Sequence, residues 1–271
     1  LGSGLARAFA VAGSLRGAQQ LLDASTRINN SLKTSGLSGE ALNKVYDKLF
    51  ASAQKNAAPL EALVELYSRA SLVQGELGAS TDDLIKFTDK VAVALRVSGK
   101  SAEESSGALL QLSQLLGSGT VRAEEFNSVQ EGALPILKAV ASGLKGAGGS
   151  VAELRKLVVA GKVSSKEFFD AFDRGSVILD KMASGSSFTI DQGFTRLKNT
   201  LIDVAKRMDA VTGVSDKAGS SLAQMASIVE TLGIAFEAFA SGPAGQFLGF
   251  LDDVIKRLEP IQVGLKILAN E

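Results

Sequence analysis

Residues 161–168 read Gly161-Lys-Val163-Ser164-Ser-Lys-Glu167-Phe168, and the fold class turns on how this octet is read. Ser164 places a hydroxyl where it can accept a hydrogen bond from the first turn of a helix. Glu167, three residues on, can reach back to the serine amide. Gly161 stops a preceding helix, and Phe168 opens an apolar run at helical spacing. The same Ser-x-x-acid spacing recurs at Ser80/Asp83, Ser101/Glu104 and Ser150/Glu153, each ahead of a periodic segment, with Ser80/Asp83 a shorter-armed version. One such box is weak; four in front of four periodic segments predict an all-α chain. No run of strict alternation argues for a sheet.

The octet also has an echo. Gly119-Thr-Val121-Arg-Ala-Glu-Glu125-Phe126 repeats the pattern G-x-V-x-x-x-E-F, 42 residues earlier. Read structurally, Gly119 and Gly161 each end a helix, Val121 and Val163 tuck against the core, Glu125 and Glu167 sit in a first turn, and Phe126 and Phe168 are buried. A paired ligand site is the functional alternative. Two copies are too few for a solenoid.

Outward from these boxes the chain reads as four parts: an N-terminal helical segment (1–37), a compact helical domain (38–184), a long heptad-patterned helix or helical hairpin (185–240), and an apolar Gly/Pro turn with an amphipathic helix (241–271). In the third part Ile190, Phe194, Leu197, Leu201, Val204, Met208 and Val211 follow steps of four and three, a heptad seam. Leu222, Met225, Val229, Leu232, Phe236 and Phe239 continue it in phase. Either this is one interrupted helix of about 75 Å, or Thr212-Gly213-Val214-Ser215 folds it into a hairpin. Ala226, Ile228, Gly233 and Ala235 broaden the apolar face, which suits burial in a bundle better than a two-stranded rod. The fold expected is therefore a multi-helix bundle with long heptad-patterned helices in the C-terminal third. Farther on, Gly242-Pro243 breaks the chain, Gly245-Gln-Phe-Leu-Gly249 forms a G-x-x-x-G, and Pro260 interrupts a last helix from Asp253 to Leu268.

Composition closes several routes to chemistry. The 271 residues include no Cys, His or Trp, and 29 basic residues balance 29 acidic ones. Without Cys or His there is no disulfide framework, thiolate nucleophile, common zinc site or Ser-His-Asp relay. Neither half of the chain is cationic, and two Tyr with no Trp make a poor stacking platform, so no specific nucleic-acid partner is expected. No apolar run is long enough for an ordinary transmembrane helix. The start, Leu1-Gly2-Ser3-Gly4, has no cationic leader and no initiating Met, as expected of a segment of a longer chain.

The remaining candidates for chemistry are weak. Asp82/Asp83, Glu103/Glu104, Glu124/Glu125 and Asp252/Asp253 are adjacent carboxylates, and neighbours on one helix point about 100° apart instead of converging on a substrate. Three of the four pairs fall in first turns, where the helix dipole favours anions. The stretch Gly143-Leu-Lys-Gly146-Ala-Gly148-Gly149-Ser150 lacks both a leading strand and the G-K-[ST] ending of a phosphate loop. No catalytic residue, cofactor or metal ligand is assigned.

The order of features closely resembles the conserved N-terminal domain of tailed-phage tape measure proteins. The resemblance rests on Leu109-Leu110-Gln111-Leu112-Ser113-Gln114, Gly117 through Ser128, Glu131-Gly-Ala-Leu-Pro135, Glu153-Leu154-Arg155-Lys156, the octet, and Phe194-Thr-Arg-Leu197-Lys-Asn199-Thr-Leu201. It covers about residues 20–215, with 117–168 its specific part. It implies a non-enzymatic structural protein of a phage, prophage, tail-like particle or gene transfer agent. Such a protein lies in the tail-tube lumen or at a tail end, sets tube length, and leaves ahead of the DNA. Expected partners are tail tube and tail-tip proteins, tail assembly chaperones and further copies of the chain, first in the host cytoplasm and then in the virion. Because 271 helical residues would reach only about 400 Å, the chain is expected to be one part of a ruler. The alternative from another class is a membrane-active helical protein that makes transient membrane contact through residues 228–255 and assists DNA delivery. Carboxylate-based peptidoglycan hydrolysis is a third.

Overall fold

The computed structural model describes residues 15–212, 228 and 244–269, and among these every regular element is helical. In chain order they are α1 (Leu15–Thr34), α2 (Gly39–Asn56), α3 (Leu60–Leu72), α4 (Gln74–Leu77), α5 (Thr81–Ser98), α6 (Ala102–Gly117), α7 (Ala123–Gly143), a 3-10 turn (Lys145–Ala147), α8 (Val151–Val159), α9 (Ser165–Gly175), α10 (Val177–Ser184), α11 (Ile190–Thr212) and α12 (Ala244–Ala269). The all-α expectation is met. The described chain forms two compact units, residues 30–195 and residues 15–29 with 196–212 and 244–269.

Helix starts follow the boxes. Ser80, Ser101 and Ser164 each accept a hydrogen bond from the backbone three residues on, while the carboxylates of Asp83, Glu104 and Glu167 accept one from the serine amide. The short arm of Asp83 reaches, its Oδ2 lying 2.9 Å from the Ser80 amide. The fourth box is half made. Ser150 caps Glu153, but the Glu153 carboxylate turns to Lys156 at 2.7 Å. Of the boxed acids Glu104 is the most perturbed. The Lys100 ammonium, then the Ser101 amide and hydroxyl, hold its carboxyl down to about 2.

In the larger unit the buried positions recur at helical spacing, as in α2 with Leu42, Val45, Tyr46, Leu49 and Ala53. Tyr46, Tyr67, Phe126, Phe168 and Phe172 are essentially inaccessible to solvent; their burial contributes about 10 kcal/mol, comparable to the net stability of a domain. Phe87 of α5 stacks on Phe169 and meets the edge of Phe172, both rings at 4.9 Å, which joins α5 to α9.

The centre of this unit is α7, which packs against α5, α6, α8, α9 and α10. It is bent. Pro135 lacks an N–H and crowds the carbonyl four residues back, and Ala133 leaves helical geometry (φ −151°, ψ 50°). The bend gives one helix two close crossings. Before it, Gly132 sits against α6 so tightly that an added Cβ would be 2.7 Å from the Ala108 Cβ. Beyond it, Ala139 and Gly143 meet Ala171 and Gly175 of α9 with the two backbones in contact. A Cβ on Gly143 would overlap the Ala171 carbonyl, and one on Gly175 would overlap the Ala139 carbonyl. Arg174 adds a 3.1 Å hydrogen bond to the Gly143 carbonyl.

The heptad reading of the C-terminal third is not confirmed on α11. On α11 Leu197, Leu201, Val204 and Met208 are buried, while Ile190 and Phe194 are half-buried. Asn199, Thr200, Ile202, Asp203 and Ala205 are buried as well, so over 199–205 the helix is covered all round and shows no narrow seam. The reason is polar pairing on the faces that a coiled coil would leave wet. Asp203 accepts from Arg207 Nε and from Gln262 Nε2 of α12, both at 2.8 Å, and Arg196 pairs with Asp252. Val211 lies in the last turn of α11. Leu222, Met225, Val229, Leu232, Phe236, Phe239, the choice between rod and hairpin, and Gly242-Pro243 all lie outside the described residues.

The expected interruption at Pro260 is also absent, because α12 runs through it. Val254, Ile255 and Leu258 anchor one face. The carbonyl freed by Pro260 belongs to Lys256, which is exposed and can be satisfied by water.

Two outcomes follow. Gly143→Ala and Gly175→Ala should each lose about 2–3 kcal/mol of unfolding free energy. Gly249→Ala, with open space around its Cβ, should gain up to ~1 kcal/mol from helix propensity; urea melts check all three. The second concerns acid. The unfolded chain takes up the Glu104 proton near 4.5 and the folded chain only near 2, so the stability from this group is complete above 4.5 and disappears as pH falls to 2. Glu104→Gln should flatten that part of the acid-unfolding curve.

Candidate functional site

The two copies of G-x-V-x-x-x-E-F are brought together. Thr120 and Ser164 face each other in an isolated antiparallel bridge. The Val121 amide donates to the Val163 carbonyl at 2.9 Å, and the Ser165 amide to the Gly119 carbonyl at 3.0 Å. The glycines make the turns into this bridge: Gly119 and Gly161 have φ of 75° and 67°, in the left-handed region that a Cβ disfavours. Val121 and Val163, each 1% exposed, point into the core beneath the bridge, and Phe126 and Phe168 are fully buried one turn farther on.

The two glutamates differ, and the helix start explains why. Glu167 is exposed and completes the box with Ser164. The backbone hydrogen bond from Ser164, then its hydroxyl, hold the carboxyl below its usual range. In the other copy the position of Ser164 is taken by Arg122, which caps nothing with its side chain. Glu125 has therefore no serine to bond. It is 9% exposed, and its Oε2 has no hydrogen-bond partner among the described residues.

The carboxylate pairs diverge. Asp82 pairs with Lys48 at 3.1 Å while Asp83 caps α5; Glu104 caps α6 while Glu103 faces solvent; Asp252 meets Arg196, and Asp253 reaches Arg257 at 3.7 Å. Among the described residues no three acids gather where they could hold a metal ion, and no helix is long and apolar enough to cross a membrane. The segment 143–150 folds as a 3-10 turn closed by the Gly149 amide on the Ala141 carbonyl at 2.9 Å.

Two features were missed in the sequence reading. Thr189-x-x-Gln192 is a further capping box. Gln192 Oε1 accepts from the Thr189 amide at 3.0 Å and its Nε2 donates to the Arg96 carbonyl at 3.2 Å. Arg96 also stacks over Phe188, 4.7 Å from the ring centroid, and donates to the Ser186 carbonyl, so the end of α5 holds the start of α11. The T-x-x-Q spacing was the available signal. The other is the Ala-x-x-x-Gly pair on α7 and on α9, visible as a pattern but not as a pairing.

What these residues build is a scaffold: backbone bridge, caps and buried aromatics, with the acids of Asp82/Asp83 and Asp252/Asp253 held by separate partners. The family model described as tape measure protein matches residues 16–210, which takes in the bridge, both motif copies and the Gly143/Gly175 crossing. The chain belongs to the tape measure protein family. No curated protein and no solved structure matches it. As a tape measure protein it is a structural component of a phage tail, interacting with other tail proteins. The paired motif is where this tape measure domain joins the starts of α7 and α9, of which only α9 carries a side-chain cap.

Glu125→Gln, which keeps the shape and replaces a buried carboxyl whose Oε2 has no partner, should leave the melting temperature unchanged or raise it. Ser164→Ala, which removes a made cap, should cost about 1 kcal/mol. A loss for Glu125→Gln as large as that for Ser164→Ala would show Glu125 to be a paired charge.

Proposed function

We propose that this chain sets the length of a phage tail tube during assembly and is released ahead of the DNA at infection. The match to the tape measure family over residues 16–210 carries the reading. The mechanism is geometric. Tube subunits polymerise around a helical chain until its end is reached, so tube length scales with the 1.5 Å rise per helical residue. The partners are tail tube and tail-tip proteins, assembly chaperones in the host cytoplasm, and further copies of the chain in the finished tail. A chain without Cys or His and with no net charge suits this path. It forms no disulfide that would resist extrusion, and it carries no net positive charge to hold the genome behind it.

Deleting whole heptads from the encoding gene, outside residues 30–195, should shorten tails by about 10 Å per heptad, as measured by electron microscopy. Tails of unchanged length would overturn the proposal.

A further inference from the structure

We infer that residues 30–195 are length-neutral: they stay folded in the assembled tail and add at most their own width to the distance measured. The inference rests on the tape measure reading and asks which part of the chain does the measuring. As one continuous helix these residues would span about 250 Å. As a compact unit of this length they have a radius of gyration of about 15 Å and a width of ~40 Å. The two states differ about sixfold in reach.

Three observations favour the folded state. The unit is punctuated by helix starts, with complete boxes at Ser80, Ser101 and Ser164 and one more at Thr189. Residues that start helices afresh have no use in a rod. Its contacts also join segments far apart in sequence. The Val121–Val163 and Gly119–Ser165 hydrogen bonds, the Gly143/Gly175 crossing and the stacking of Phe87 on Phe169 would all be lost on extension. Finally, extension would expose Tyr46, Tyr67, Phe126, Phe168 and Phe172, now at most 2% accessible, with no continuous apolar stripe to receive a partner in their place. The two longest helices, α11 and α12, lie mostly or wholly outside this unit.

The test is an in-frame deletion of codons 30–195 in the phage, with tail lengths read by negative-stain microscopy. Tails within ~40 Å of the parental length are expected. A shortening near 250 Å overturns the inference while leaving the tape measure reading intact, because the heptad deletions elsewhere test that separately. Should the deletion abolish tails, a tandem duplication of the same codons gives the reading. An increase near 250 Å overturns it, and an increase no greater than ~40 Å supports it.

Discussion

The structure of the larger unit depends on one contact, the crossing of α7 and α9 at Ala139, Gly143, Ala171 and Gly175. Backbone touches backbone there, because neither glycine carries a Cβ to hold the helices apart. Close approach lets many neighbouring atoms sit at van der Waals distance, where individually small attractions add up. Its effect reaches further through α7, which also packs on α5, α6, α8 and α10. Pro135 makes this possible. A straight α7 would carry Gly143 about 30 Å from Ala123. Yet Gly143 lies against α9, whose first residue, Ser165, is bonded to Gly119 just before α7 begins. The bent helix leaves the bridge, presses Gly132 onto α6, and meets α9 at Ala171 and Gly175.

Local chemistry explains why so much of this was legible. A capping box commits four consecutive residues and two orphan backbone donors to one geometry, so Ser80, Ser101 and Ser164 announce helix starts with little help from the rest of the chain. The weaker cases are instructive for the same reason. At Ser150 the partner Glu153 has a nearer cation in Lys156 and leaves the box open. At Thr189 the partner is Gln192, whose amide can donate as well as accept, and it uses the extra capacity to hold the Arg96 carbonyl. A pattern search keyed to acidic partners passes over that site although its geometry is complete.

Pairing between distant segments was less legible, since periodicity says which face is apolar but not what covers it. The motif repeat was visible, yet the bridge between Gly119–Val121 and Val163–Ser165 is a tertiary event that no spacing encodes. The small-residue contact shows the same limit from the other side. Gly245-x-x-x-Gly249 attracts the eye, but Gly249 has open space around it. The crossing is made instead by Ala-x-x-x-Gly on two helices that do not advertise each other. On α11 the heptad spacing is present, while Asp203, Arg207 and Gln262 bury the faces it would leave exposed. Buried polar pairs of this kind add little net stability and act by making wrong alignments costly, which an apolar-spacing argument does not register.

A protein with no Cys has no disulfide staple to fall back on, so packing, caps and polar pairs carry much of its stability. That has a mechanical consequence for a tail component. Packing and caps break and re-form without chemistry, whereas a disulfide or a metal site needs an oxidant, a reductant or the ion itself. The difference between Glu125 and Glu167 is one of capping. What distinguishes the two copies is the residue at the helix start, Arg122 or Ser164. The serine side holds its carboxylate outside the core, in water, while on the arginine side the chain accepts an unpaired carboxylate oxygen beside Phe126.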